Sequence, residues 1–188
     1  VPDREEAVSP PAGSPLAVFI GPPAAGKTRL GKRVARILSV PFIDTDTRIV
    51  AEHGPISEIF AHEGEAVFRQ READVVAEAL RENAIVTLGG GAVMTPEVAD
   101  ALEPLPVVLL TVSAEAVEAR LGGGKRPLLT GGLAAWSALV ESRMPVYESL
   151  ATARWDTSLR PLAQIAEEIA TWVRTLPRSG PTTAGGES

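Results

Sequence analysis

The sequence predicts an α/β fold of three layers, a five-stranded parallel sheet with helices on both faces. Three observations predict it. Short apolar runs suited to buried parallel strands alternate with longer stretches of helical periodicity. The first run, LAVFI at 16–20, feeds directly into GPPAAGKT, Gly21 to Thr28, a glycine loop that opens a helix. Strands separated by helices need crossovers, and these cover both faces of a parallel sheet.

Each element has its own signal. After the loop, Leu30, Val34, Ile37 and Leu38 recur at helical spacing. VPFID (40–44) reads as the second strand. A long helix is expected over about 65–82, with Ala66, Phe68, Val75, Val76, Ala79 and Leu80 on one broad face. On it, Glu65 and Arg69 stand at i,i+4 in the favourable order. AIVTL (84–88) is the third strand. Thr95-Pro96-Glu97 reads as a helix start, threonine as cap and proline at the first position. PVVLLTV (106–112) is the fourth strand, and Ser113 caps the helix after it. A helix over about 133–150 leads to a short fifth strand, 153–157, and Arg160-Pro161 opens a last helix to about 176.

The 188 residues suit one domain. It spans 16–176 and contains a lid at about 122–132. Proline-rich 1–15 and the Pro/Gly/Ser/Thr-rich 177–188 read as disordered tails. A net charge of −6 argues against binding nucleic acid or a membrane surface. Without cysteine there is no disulfide framework and no thiolate chemistry. No apolar run approaches the roughly 20 residues of a membrane span, and the first residues lack a signal pattern. A cytoplasmic monomer is expected.

The chemistry gathers at the carboxyl ends of the strands, where parallel sheets bind ligands. GPPAAGKT fits G-x-x-x-x-G-K-[ST], the phosphate-binding loop, or P-loop. Successive backbone N–H groups make an anion-binding concavity, and the following helix adds its positive end. Lys27 is one of only three lysines and would reach the β- and γ-phosphates, while the Thr28 hydroxyl would ligate magnesium. The second strand ends FIDTD. Two carboxylates, Asp44 and Asp46, need partners there. One suits magnesium and the other a substrate hydroxyl proton; alternatively Asp46 caps the next helix and Asp44 is solvated. Gly89, Gly90 and Gly91 end the third strand, either admitting backbone N–H groups to a ligand or forming a flexible turn. Arg69 lies one turn from both Glu65 and Glu72, as a pre-oriented arginine or as part of a surface ion-pair face. GGGKRPLLTGG (122–132) combines glycine hinges with Lys125 and Arg126 to meet phosphates, and with Leu128 and Leu129 to exclude water. His53 and His62 show no metal-ligand spacing and read as exposed; Trp136, Trp155 and Trp172 read as packing residues.

The ordered set GPPAAGKT, FIDTD, IFAHEGEAVFRQRE, LGGGAV, KRPLL and SRMPVYESLA resembles shikimate kinase, in the nucleoside-monophosphate-kinase-like P-loop group. The resemblance runs from Leu16 to about Leu176. It implies ATP- and Mg2+-dependent phosphorylation of the shikimate 3-hydroxyl, on the route to chorismate and the aromatic amino acids. It also implies roles. Gly21, Pro22, Pro23, Ala24, Ala25, Gly26, Lys27, Thr28 and Arg29 would bind ATP, with Arg120 and the Arg160-Pro161 pair at the adenine. Thr28 and Asp44 would hold the metal, and Asp46 would contact the attacking hydroxyl as candidate base. Arg69 and Arg143 would clamp the shikimate carboxylate, Gly89 to Gly91 would line its ring, and Arg126 would stabilise the transferring phosphoryl group. The residues agree with this chemistry. Arginine binds carboxylates bidentately, and with no cysteine nucleophile direct in-line transfer is the simpler mechanism.

Three positions depart from the family pattern. Ala24 stands where glycine is usual, and is expected to serve only with a negative φ. Arg29 replaces a second hydroxyl residue and Thr45 a serine. Among alternatives, a gluconate kinase would share the loop and sheet but not Asp46, Arg69, the triple glycine and Arg143 together. A nucleoside monophosphate kinase lacks support in base-binding elements. A GTP switch is excluded, because the sole asparagine, Asn83, is followed by alanine, which leaves no N-K-x-D motif. A non-catalytic nucleotide module would rest only on the loop departures.

Overall fold

The computed structural model describes residues 13–121 and 131–177. In chain order they form β1 (Ala17–Ile20), α1 (Lys27–Leu38), β2 (Phe42–Asp44), α2 (Thr45–His53), α3 (Ile56–His62), α4 (Glu65–Ala79) and β3 (Ile85–Thr87). A 3-10 turn (Ala92–Met94), α5 (Pro96–Leu102), β4 (Val107–Thr111), α6 (Ala114–Leu121), α7 (Gly132–Leu150), β5 (Ala153–Asp156) and α8 (Leu162–Thr175) follow. The strands are all parallel, in the order β2-β3-β1-β4-β5. Because β1 lies between β3 and β4, the strand order reverses at its carboxyl end, which is where such sheets bind ligands.

The period of two along β1 divides the core. Phe19, with Val108 and Leu110, faces α1 and α8 through Leu30, Val34, Ile165, Ile169 and Val173. Val18 and Ile20, with Val86 and Leu109, face α4, α5 and α7 through Val76, Val98, Leu102 and Tyr147. A smaller cluster of Ile49, Ile59, Phe68 and Val75 fastens α2 and α3 onto α4. Helix α1 sits very close to the sheet. A Cβ at Gly31 would lie 2.6 Å from Thr87 Cγ2 and 2.7 Å from Phe42 Cε2.

The predicted strands and layers are present, and several boundaries differ. Helix α4 ends at Ala79, not near 82. Arg81 and Glu82 instead make turn bonds to Glu78 and Ala79, which bend the chain into β3. Helices α2 and α3 had no individual signal. Each buries few residues, and the Gly54-Pro55 break separates them. Thr95 takes the N-cap position of α5, but its hydroxyl makes no capping bond. Ser113 does cap α6, its Oγ accepting from Ala116 N at 3.2 Å. Of the expected lid, only Gly131 and Gly132 are described; Lys125, Arg126, Leu128 and Leu129 lie outside the described residues, as do 1–12 and 178–188 of the expected tails. Among the described residues, no helix is long and apolar enough to cross a membrane.

Candidate active site

The P-loop leaves β1 at Gly21, with φ at 134°, where a Cβ would meet Leu110 O at 2.2 Å. Only glycine allows that closeness to β4. Gly26, also left-handed, caps α1. Ala24 has φ at 67°, contrary to the sequence expectation of a negative value. The loop turns through the left-handed region here, which costs an L-residue about 1–2 kcal/mol. That cost accounts for the glycine usual in the family at this position.

Lys27 folds back over its own loop, Nζ donating to Gly21 O at 2.8 Å and Pro22 O at 3.0 Å. Burial pushes its ammonium down to about 8, against the opposing pull of the Asp46 and Asp44 carboxylates. A cleft of about 540 Å³ opens beside it, lined by Ala24, Gly26, Lys27, Thr28, Arg29, Asp44, Asp46, Leu88, Arg120 and Leu162. Pro22 is buried, Pro23 half-buried, and Arg29 exposed at the cleft.

The two aspartates have separate tasks, and the capping role falls to Asp44 rather than Asp46. Asp44 Oδ1 accepts from Thr47 N at 3.0 Å and Thr47 Oγ1 at 3.2 Å, closing the start of α2. Its Oδ2 accepts from Thr28 Oγ1 at 2.7 Å and Thr87 Oγ1 at 3.1 Å. Burial pushes this carboxyl up, but bonds from Thr28, Thr47 and Thr87 outweigh burial and hold it below the usual range. A charged carboxylate touching a hydroxyl at a helix N-terminus is a hard-oxygen pair that fits magnesium. Among the described residues, no group of three or more acidic or histidine side chains could hold a metal. Magnesium there would complete its shell with phosphate oxygens and water, its usual habit. Asp46 lies within the range of the Lys27 and Arg69 charges. Burial, reinforced by Asp44, raises its pKa.

The glycine run gives room to the protein's own side chains. A Cβ at Gly89 would stand 2.5 Å from Asp46 Oδ1 and 3.0 Å from Glu72 Oε1. At Gly91 it would stand 2.8 Å from Arg69 NH1 and 2.9 Å from NH2. Gly89 and Gly91 therefore form a floor on which Asp46, Glu72 and Arg69 lie, while a Cβ at Gly90 would meet Pro23 Cδ at 3.3 Å. Arg69 is held as its spacing suggested, NH1 to Glu72 Oε2 at 2.6 Å and NH2 to Glu65 Oε1 at 3.4 Å, 5.2 Å from the Phe68 ring centre. Glu72 is only 2% exposed; burial raises its pKa although Arg69 pulls the other way. From α7, Arg143 NH1 donates to Gly90 O at 3.2 Å and the Tyr147 hydroxyl donates to the same oxygen. The Arg143 charge acts on both Lys27 and Glu72, so it faces the same site.

The adenine candidates divide. Arg120 lines the cleft and donates to Ala24 O at 3.0 Å and to Thr157 O. Arg160 instead pairs with Glu168 on α8, and Leu162 rather than Pro161 lines the cleft. His53 and His62 are exposed as expected. Trp136 is buried, and Trp155 packs edge-on to Trp172 at 5.6 Å. Sequence reasoning did not single out Thr87, Tyr147, Leu88, Leu162 or Thr157 for the site. Their types are common in strands and helices; Leu88 in LGGGAV, Tyr147 in SRMPVYESLA and Leu162 after Arg160-Pro161 stood in or beside quoted segments, but nothing in their residue type marked them.

Comparison with known proteins agrees with this geometry. The family model for shikimate kinase matches residues 23–174. A shikimate kinase of Mycobacterium avium is 46% identical over 152 residues, 78% of this chain and 86% of that protein. One from Thermobifida fusca is 42% identical over 170 residues, 88% and 97% of the two chains. Among solved structures, shikimate kinase from Acinetobacter baumannii in complex with shikimate superposes with a TM-score of 0.77 at 28% identity, covering 87% of this chain and 94% of that one. With a phosphate loop and two strand-end aspartates on one cleft, a paired arginine whose charge reaches Asp46, and relatives of this similarity along most of its length, the chain belongs to the shikimate kinase family of small-molecule kinases.

Proposed function

We propose that this chain, acting as a cytoplasmic monomer, transfers the γ-phosphoryl group of ATP to the 3-hydroxyl of shikimate, with magnesium, yielding shikimate 3-phosphate. The observation that carries this reading is the shared glycine floor. Asp46 and Arg69 crowd positions 89 and 91 respectively, beside the cleft that Lys27 and Thr28 line. A carboxylate-bearing polyol would find a proton acceptor and a carboxylate receptor one glycine apart, next to a phosphate donor.

Arg69, pre-oriented by Glu72 and Glu65, and Arg143 bind the acceptor carboxylate and fix its orientation. Gly89, Gly90 and Gly91 leave room for the ring. Asp46 takes the proton of the attacking hydroxyl. Its raised pKa makes it a better base than an ordinary aspartate. Lys27 and the loop amides from Gly21 to Thr28 hold the β- and γ-phosphates, with Arg29 at the cleft wall and Arg120 and the Arg160-Pro161 pair at the adenine. Arg126, outside the described residues, meets the transferring group. Thr28 and Asp44 would hold magnesium, which supplies charge neutralisation to the phosphate oxygens. Positioning and charge neutralisation are what phosphoryl transfer chiefly requires.

The test is ADP release with ATP and magnesium, comparing shikimate, gluconate and nucleoside monophosphates as acceptors. Turnover with shikimate alone is expected. Turnover with another acceptor instead would keep the kinase and discard the arginine clamp, and ATP binding without turnover on any acceptor would favour a non-catalytic module.

A further inference from the structure

Every carbonyl from Gly21 to Gly26 accepts a hydrogen bond. Lys27 takes Gly21 O and Pro22 O, and Leu30 N takes Gly26 O at 2.9 Å. The three between them are gripped from other parts of the fold. Trp136 Nε1 on α7 donates to Pro23 O at 3.0 Å, Arg120 NH1 on α6 to Ala24 O at 3.0 Å, and Thr157 Oγ1 after β5 to Ala25 O at 3.0 Å. A peptide group is planar, with its carbonyl and the next N–H pointing opposite ways. Pinning a carbonyl therefore fixes the direction of the next N–H; Trp136 fixes that of Ala24, while Ala25 N–H, behind the carbonyl that Arg120 holds, donates to Pro22 O at 3.3 Å within the loop. Trp136 holds the peptide before Ala24 and Arg120 the peptide after it. The angle between those two planes is the φ,ψ pair of Ala24, the one non-glycine residue of the loop in the left-handed region.

We infer that Trp136 is a positioning residue for nucleotide binding. Together with Arg120 it holds Ala24 in the left-handed conformation that the phosphate loop requires and that alanine resists. The inference rests on the reading of Gly21 to Thr28 as the ATP loop. Trp136 touches no reacting group. It is 2% exposed, packed in the core, and acts through Pro23 O. An alanine at position 24 leaves the free loop a cheaper, non-binding backbone, and the outside donors suppress it. With glycine at 24 the left-handed state carries no such cost, and the donors matter less.

The test is steady-state kinetics of the full chain with ATP and shikimate varied in turn, for wild type, Trp136→Phe, Ala24→Gly and the double variant. Trp136→Phe keeps an aromatic ring and loses the donor. The KM for ATP is expected to rise about three- to tenfold, the range for one hydrogen bond, with the KM for shikimate unchanged. Ala24→Gly should lower the KM for ATP and shrink the effect of Trp136→Phe, a non-additivity that a purely structural role would not produce. An unmoved KM for ATP in Trp136→Phe overturns the inference, as does an equal rise in both KM values or strict additivity. Should Trp136→Phe fail to fold, the exposed Ala24 still decides. Ala24→Val, β-branched, must raise the KM for ATP while Ala24→Gly lowers it, and no change in either overturns the proposal. A wild type that does not turn over ATP, or an unimpaired Lys27→Ala, sinks the nucleotide reading itself. Normal wild-type turnover, abolished by Lys27→Ala, with Trp136→Phe indistinguishable from wild type, sinks only the role of Trp136.

Discussion

Lys27 and Asp46 both line the cleft, and their environments push their proton affinities toward one another. Burial lowers the lysine to about 8 and raises the aspartate. Neither group is in its relaxed aqueous state, which is common where side chains do chemistry. Lys27→Ala should abolish transfer while the far-ultraviolet circular dichroism and melting profile stay native, because the lysine supports no core contact. Asp46→Asn keeps the size of the side chain and removes the proton acceptor. Its kcat should fall by about 10²–10⁴ with a smaller change in the KM for shikimate. Normal turnover in either purified variant would remove that residue from the mechanism. The placement of both at strand ends was legible in sequence from the motif spacing. The capping bond of Asp44 was not, since an aspartate at either position could have closed α2.

Helices and strands in this fold approach closely at a few glycines, and each makes a separate prediction. A methyl group at Gly31 would push α1 off the sheet, against Thr87 and Phe42. Gly31→Ala should destabilise by about 1–3 kcal/mol, the usual cost of overpacking, read from a denaturant midpoint; an unchanged midpoint would show that α1 can slide. Gly89→Ala and Gly91→Ala act on chemistry instead. The first meets the short Asp46 side chain, which has little room to yield, and should lower kcat. The second meets the flexible tip of Arg69 and should mainly raise the KM for shikimate. Equal effects of both on kcat and KM would mean that the floor acts as one unit. The strands and long helices were readable from periodicity. Helices α2 and α3 were not, because their few buried residues gain their partners from distant elements, α4 and β3.

Across the whole molecule, the burial of Glu72 that orients Arg69 comes at a cost in stability. Glu72 is enclosed, and its carboxyl titrates above its ordinary value of 4.5 because burial outweighs Arg69. The folded state therefore holds the proton more tightly than the unfolded chain. Well below pH 4.5 the group is neutral in both states and costs nothing. As pH rises through the unfolded value the unfolded chain loses its proton first, and stability falls until the folded group has also ionised. Glu72→Gln lacks that fall. Its Tm should match wild type well below pH 4.5 and exceed it at pH 7, while the KM for shikimate rises about tenfold as Arg69 loses the nearer of its two charged partners. A lower Tm at pH 7 would show that the ion pair stabilises the fold outright.

By itself the sequence determined the fold class and the chemistry. Alternation of apolar runs with helical periods left a parallel sheet as the arrangement able to bury them, and GPPAAGKT, FIDTD and the triple glycine marked its carboxyl edge. These signals are local, carried by spacing along the chain. The tertiary structure alone decided what is not local. It brought Arg143 and Tyr147 from α7 to Gly90, and Trp136, Arg120 and Thr157 to the carbonyls of the phosphate loop. It also gave Ala24 a positive φ. Contacts between residues some 50 to 130 positions apart depend on how helices pack over the sheet. No spacing in the sequence encodes them, because the same residue types pack an ordinary core elsewhere in the chain.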